Sequence, residues 1–448
     1  MMEKNEGGLT RTLARFIVGT NEVDIPSHVY EHAKIAFLDW IGVTIAGKDD
    51  PLVKKLLGYV NILGGNEQAT ILGHKVKKSM SHAALINGSA SHVLDYDDVM
   101  MAFLGHPSVT MFPSLLALAE FKEKSGADFL TAYIIGFKIG CVVGACAGKE
   151  HYMTGWHATG TLGHFTSAAV CSRILGLDEK QTIHALGIAG TMASGLRRSF
   201  GTMCKPFHAG KAAQGGLMGA MLAAEGFTAA TDIFEGPNGF FQAFKGGINE
   251  QALGTLGRTW EIEYLAQKYH ASCYGTHSPI EASLNIVKSE ELDGKDINSI
   301  NVQVSPLAMS AASKNEARTG LEGKFSVNYC VANALLRGNT GMQAFTDERV
   351  NDEEVQDFMR KISVSADNDL NMMEARVEIN TGNGRIYSKF KDVDKEIPPL
   401  ETKNMKIRDK FSDICGPVLG GRKANEFVDA VLSLEKVNNI KSLIEMIE

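Results

Sequence analysis

Between about residue 10 and residue 230 the chain presents one apolar, Gly- and Ala-rich helical pattern after another, and this succession limits the fold more than any other feature. HVYEHAKIAFLDWIGVTIAG places Val29, Ala33, Phe37, Ile41 and Ile45 at four-residue spacing and stops at Gly47, the mark of a helix with one core-facing stripe. ADFLTAYIIGFKIGCVVGACAG is apolar nearly all round, which predicts a helix buried among other helices. DEKQTIHALGIAGTMASG opens on Asp178 with Gln181 three residues later, a capping-box start. KAAQGGLMGAMLAAEG is again small and apolar. Glycine costs about 1 kcal/mol relative to alanine inside a helix. An excess of it in helical segments therefore predicts helix backbones that approach closely.

After about residue 270 the texture changes. INSINVQVSP alternates Ile300, Val302 and Val304, and MRKISVSAD repeats the period of two with Ile362 and Val364. RVEINTGNGRIYSKF is two strand-like runs joined by Gly-Asn-Gly, a hairpin signal. KFSVNYCVANALLRG between them predicts a helix ending at Gly338, and helical patterns return through MKIRDKFSDIC and NEFVDAVLSL. The expected architecture is mainly α: a large all-helical domain begun by residues 1–268, a smaller α+β domain over 269–400, and C-terminal helices over 401–448 that return to the first.

Forty-five Lys and Arg against 52 Asp and Glu leave a net charge of -7, with no basic excess for a phosphate backbone, so nucleic acid is not an expected partner. MMEKNEGG has no apolar h-region, and Lys138 interrupts the most apolar run, so neither a secretory signal nor a membrane span is expected. Seven scattered cysteines with no CxxC pair point to reduced thiols in a cytoplasmic protein. No GxxxxGK[ST] loop is present, and no GxGxxG follows a strand-like run; HExxH and GxSxG are missing too, which removes the commonest nucleotide, zinc and serine-hydrolase signatures.

Eleven of thirteen histidines lie between His74 and His277. HVLDYDD carries Asp95, Asp97 and Asp98; GHPSV carries His106; GWHATGTLGH carries His157 and His164; FGTMCKPFHAGKAAQ carries Lys205, His208 and Lys211; KYHASCYGTH carries Lys268, Cys273 and His277. A single histidine in a helical protein is ordinarily a packed, hydrogen-bonded residue, and an acidic run such as DYDD ordinarily caps a helix, so no cluster is specific alone. Together, cationic donors with few arginines suit a small anionic substrate, and titratable His and Tyr suit proton transfer near neutral pH. Removing a proton α to a carboxylate requires that the more negative intermediate be stabilised, which ammonium and imidazole groups can do. Three classes are compatible with this: a proton-transferring enzyme on carboxylates, a carboxylate-binding protein without chemistry, and a metal-dependent hydrolase whose ligand spacing would be atypical.

LINGSASHVLDYDD, GHPSV, GWHATGTLG, FGTMCKPFHAGKAA and KYHASCYGTH, in this order and at these separations, resemble the MmgE/PrpD family, whose activities include 2-methylcitrate dehydration, cis-aconitate decarboxylation and iminodisuccinate epimerisation. The resemblance spans nearly the whole chain. It implies a helical domain with a smaller α+β lid domain, a homodimer, catalysis without organic cofactor or metal, and α-proton abstraction from a small di- or tricarboxylate. A lyase is the leading reading and an epimerase the alternative. Carried over residue by residue, it implies His106, His157, Lys205 and Tyr329 as catalytic, and Asp95, Lys268, His208 and Cys273 as substrate-binding. His106 and His157 would move the proton, the lysines would hold carboxylates, and Tyr329 would close the site from the smaller domain. Two positions depart from the decarboxylase-like pattern: Val99 stands where that pattern has Thr, and Cys273 where it has His.

Overall fold

Phe37 and Trp40, one turn apart on helix Ser27–Ala46, pack against Phe112 of helix Ser108–Phe121, and Phe37 also meets Phe129 of helix Gly126–Met153 edge-on at 5.0 Å. Phe112 in turn stacks on Tyr133 at 3.9 Å, so three helices share one aromatic core. The computed structural model describes residues 7–312, 314 and 316–448. It is 61% helical, in agreement with the mainly α class. The chain divides into two units: residues 1–93, 97–267 and 399–448, and residues 94–96 with 268–398.

The first unit is helical apart from a short antiparallel hairpin of β1 (Ala69–Ile71) and β2 (Val76–Lys78), which sequence periodicity did not indicate. Helix Cys204–Ala224 packs on Met80–His92, Ala158–Leu175 and Glu179–Met192. Small residues make this possible: a Cβ added at Gly210 would lie 2.1 Å from the Leu85 carbonyl oxygen, and one at Gly88 would lie 2.7 Å from the Gly210 Cα. Helix Ser27–Ala46 stops at Gly47, and Asp178 and Gln181 form the reciprocal capping box that starts Glu179–Met192. The C-terminal helices Leu400–Leu419 and Gly421–Leu432 pack against Ser27–Ala46, so the chain's two ends complete one core.

The apolar run around Lys138 proves longer as a helix than the sequence suggested. Among the described residues, Gly126–Met153 is the one helix long and apolar enough to cross a membrane, yet 94% of its apolar window is buried inside the protein. Lys138 is accommodated there by Glu261 at 2.6 Å and Thr255 at 2.7 Å, a buried charge paired and hydrogen-bonded.

The second unit centres on a four-stranded sheet of order β4-β3-β5-β6, formed by β3 (Ile297–Val304), β4 (Ile362–Ala366), β5 (Glu374–Thr381) and β6 (Ile386–Asp392). β5 and β6 make the expected antiparallel hairpin, Asn380 facing Ile386. β3 runs antiparallel to β5 but parallel to β4, which requires a crossover; it contains helix Val327–Arg337, ended by Gly338 in the left-handed conformation. Ile300, Val302, Val304, Val377 and Ile379 are buried, and helix His277–Ser289 packs on β5 and β6.

Candidate active site

Helix Met80–His92 ends two residues before a reversal in which Asp95 adopts φ 51°, a conformation that Asp tolerates better than most residues. The reversal returns Asp97 to His92, whose Nδ1 lies 2.9 Å from Asp97 Oδ2; both side chains are buried. His106 follows a tight loop closed by the Met100–Gly105 bridge. A Cβ at Gly105 would lie 2.6 Å from Thr159 Oγ1, and the space it leaves lets the His106 amide donate to that hydroxyl at 3.1 Å. The His106 ring donates from Nδ1 to the Asp98 carbonyl at 2.8 Å, with the same nitrogen 3.1 Å from Asp97 Oδ2. Its Nε2 therefore carries the lone pair in the neutral ring. The Asp98 carboxyl turns away to Ser108, whose hydroxyl also meets Tyr133. Burial raises that carboxyl well above the usual range and favours the neutral acid.

His157 is the N-cap of helix Ala158–Leu175 and is held by its amide hydrogen bond to the Gly195 carbonyl at 2.9 Å. Its ring stacks on His92 with centroids 5.9 Å apart and meets Phe200 edge-on at 4.9 Å. Nδ1 of His157 lies 3.1 Å from Nδ1 of His208, so one ring donates and the other accepts. Lys205 stands in the first turn of Cys204–Ala224 with its ammonium over the Phe200 ring at 5.5 Å, three residues before His208 on the same helix face. Helices Ser108–Phe121, Ala158–Leu175 and Cys204–Ala224 thus begin at or beside His106, His157 and Lys205, and their N-terminal dipoles add positive potential to the ammonium.

The electrostatics follow from this. Burial, with further depression by His92, Lys205, His208 and His106, holds His157 well below its ordinary value, so its ring is neutral. Burial brings His92 down to about 4 against the opposing pull of Asp97, and brings His208 to about 4 with a contribution from Lys211. For Asp97 burial acts upward, but His92 and His106 outweigh it and keep the carboxylate ionised.

The remaining residues implied by the resemblance lie in the second unit. Lys268 and Asp95 form a buried ion pair with each other, and the Lys268 ammonium also donates to the Asp95 carbonyl at 3.0 Å. The Cys273 amide donates to the Lys324 carbonyl at 2.9 Å, and its thiol is part-exposed. Tyr329 is buried with its hydroxyl donating to the Ala344 carbonyl, and burial raises its phenol above the ordinary value. The structure therefore brings His106, His157, Lys205 and His208 together in the first unit, and Asp95 with Lys268 in the second.

Residues 11–251 match the MmgE/PrpD N-terminal domain and residues 270–436 match the MmgE/PrpD C-terminal domain. The chain belongs to the MmgE/PrpD family. This MmgE/PrpD protein is 28% identical to a cis-aconitate decarboxylase of Aspergillus terreus, with 99% of the chain and 96% of the relative covered. It is 26% identical to a cis-aconitate decarboxylase-like protein of Aspergillus oryzae, covering 99% and 98%. With the human cis-aconitate decarboxylase the identity is 23%, over 98% and 94%.

Two members of the MmgE/PrpD protein's histidine cluster, His92 and Asp97, were not singled out by the sequence as site residues. The only signal was the HVLDYDD run itself, which offers His92 and three carboxylates, all buried in the structure, without saying which of the three meets the histidines. Among the described residues, His92, Asp97 and His106 are also the one group of three donors close enough to share a metal ion, their ligand atoms all within 4.8 Å. The 2.9 Å His92–Asp97 contact meets hydrogen-bond geometry, with the ring N–H aimed at the carboxylate oxygen, so that pair is arranged to share a proton.

Proposed function

We propose that this protein is a cofactor-independent lyase that acts on a small di- or tricarboxylate, moving a proton at the carbon next to a carboxylate and releasing CO₂ or water. The observation that carries this reading is the group of buried imidazoles, one beside an ionised carboxylate, gathered with Lys205 at the starts of three helices. Such a place favours a multiply charged anion, because the ammonium and the helix N-terminal amides are preorganised positive potential. The relatives named cis-aconitate decarboxylase support the substrate class.

His106 is the better base of the two leading histidines. Its Nε2 holds the lone pair, its side chain is 13% exposed, and Asp97 lies 3.1 Å from Nδ1 to stabilise the imidazolium formed when the proton arrives. His157 has positive neighbours instead, which makes its imidazolium unfavourable and suits it to hydrogen-bond the substrate as a neutral ring. In an elimination, His106 takes the α-proton while the C–H electron pair enters the carboxylate, whose added charge Lys205 offsets; that pair then forms the C=C bond as the β-hydroxyl departs, taking the proton from the His106 imidazolium to leave as water. In a decarboxylation, the C–C pair remains on carbon when CO₂ departs and takes up a proton from His106 Nε2, which enters that reaction as the imidazolium beside Asp97.

The test is proton NMR in deuterated water with citrate, 2-methylcitrate, cis-aconitate and iminodisuccinate. The expected result is an unsaturated product, carrying deuterium at the reacting carbon where CO₂ is lost, and, where water is lost, accompanied by labelled substrate if abstraction reverses before the hydroxyl departs. Inversion without a new double bond or carbon loss would replace the lyase reading by an epimerase. No turnover and no exchange, with saturable binding of these acids, would leave a carboxylate-binding protein.

A further inference from the structure

One carboxylate in the first unit serves two imidazoles. Asp97 Oδ2 lies 2.9 Å from His92 Nδ1 and 3.1 Å from His106 Nδ1, whereas Asp97 Oδ1 and His92 Nε2 are buried with no hydrogen-bond partner among the described residues. His106 does not need Asp97 to fix its tautomer, because the Asp98 carbonyl already accepts from its Nδ1 at 2.8 Å. What Asp97 adds is charge. We propose that Asp97 and His92 are positioning residues for proton transfer at His106: Asp97 as the fixed counter-charge to the imidazolium, and His92 as the neutral donor that holds Asp97 in place and ionised.

The arrangement has a physical logic. A carboxylate buried this deeply would take up a proton unless hydrogen-bond donors held its charged form, and with Oδ1 unpartnered the His92 N–H is one of few available. The donor must also be uncharged. A permanent cation at His92 would cancel Asp97 and leave nothing to stabilise the charge arriving on His106, and burial keeps His92 neutral at about 4. The other titratable groups around the pair are His157, whose ring stacks on His92, Lys205, whose positive field reaches both rings, and the Asp98 carboxyl, which burial keeps neutral.

This inference rests on the reading of His106 as the base, and the experiment separates the two. Histidine-selective ¹⁵N NMR of the full chain needs no substrate; it should find Nδ1 protonated and Nε2 bare in both His92 and His106, and D97N should remove that preference at His92 alone. With the carboxylate that turns over in the NMR screen, D97N should lower kcat on the order of 10²-fold or more with KM changed little, since the lost group acts through another residue. H92N places an amide donor where Nδ1 stood and should recover most of the kcat that H92F loses. D97N and H92F at wild-type kcat beside an inactive H106Q would overturn the positioning roles and leave the base intact. An active H106Q would overturn the base itself. H92N as poor as H92F would overturn the donor role and make His92 Nε2 the working atom. Should H92F not fold, D97N together with the NMR tautomers decides.

Discussion

Replacing Gly210 by alanine should separate two helices that now touch backbone to backbone. The added methyl would lie 2.1 Å from the Leu85 carbonyl oxygen, 2.3 Å from Ser89 Oγ and 2.9 Å from the Ser89 amide nitrogen. Two of these are backbone atoms of helix Met80–His92 and cannot rotate away, so the helices must part by roughly 1 Å in an interior packed at crystal-like density. Overpacking of this kind costs about 1–3 kcal/mol, more than the ~1 kcal/mol alanine gains over glycine in helix propensity. Catalysis should suffer separately, because Gly210 lies two residues beyond His208 and its contact partner Gly88 four residues before His92. A displacement of about 1 Å among reacting groups is worth on the order of 10²-fold in rate. Gly58 is the control: it is exposed in helix Pro51–Leu63 with nothing within 4 Å of the position a Cβ would take. Gly58→Ala should therefore stabilise by about 0.5–1 kcal/mol. Urea midpoints of the two variants, measured side by side with wild type, should move in opposite directions. A Gly210→Ala protein with wild-type or higher midpoint and unchanged kcat would refute the argument that glycine sets this helix contact.

Lys205→Met keeps the side chain's length and removes its charge, and kcat/KM should fall about 10²-fold or more, within the range for one preorganised electrostatic donor; wild-type kinetics would make Lys205 structural. Exhaustive chelation should leave turnover unchanged, and loss restored by one divalent ion would instead assign His92, Asp97 and His106 to a metal. Stability should fall as pH drops from about 6.5 towards 4: His32, His92 and His208 are lowered from 6.5 to about 4 and His164 to about 3, each by burial first. In that window the unfolded chain binds more protons than the folded one, so each histidine removes about 1.4 kcal/mol per pH unit. Unfolding midpoints that stay flat from pH 7 to pH 4.5 would contradict those neutral buried rings.

Features set by neighbours in sequence were the legible ones. The stop at Gly47, the Asp178–Gln181 capping box, the helix ended by Gly338 and the β5–β6 hairpin all depend on residues within a turn of one another. The parallel pairing of β3 with β4 was not legible, because it joins segments some sixty residues apart whose alternation is identical in parallel and antiparallel partners. The same limit hid the placement of residues 94–96 with 268–398, which follows from packing rather than composition. At the site, His106, His157, Lys205 and His208 could be named because their motifs resemble a family. His92 and Asp97 could not, because their meeting depends on the left-handed turn at Asp95, and an aspartate can equally occupy such a turn or face away from it.

The long apolar helix Gly126–Met153 has a consequence for how the polypeptide is made. Its start is closed by the far end of the chain: the Gly126 amide donates to the Val437 carbonyl, the Ile440 amide to the Lys124 carbonyl, and a Cβ at Gly126 would lie 1.9 Å from the Leu434 oxygen. A ribosome therefore releases this membrane-like segment some three hundred residues before the piece that seals it. Most of that helix is covered earlier, by Ala158–Leu175 directly behind it, but its first turn stays uncapped through the interval, so vectorial synthesis alone cannot finish the helical unit. A chain truncated after Leu432 should retain most of its residues and still accumulate as aggregate, because the cap on its most lipid-like helix never arrives.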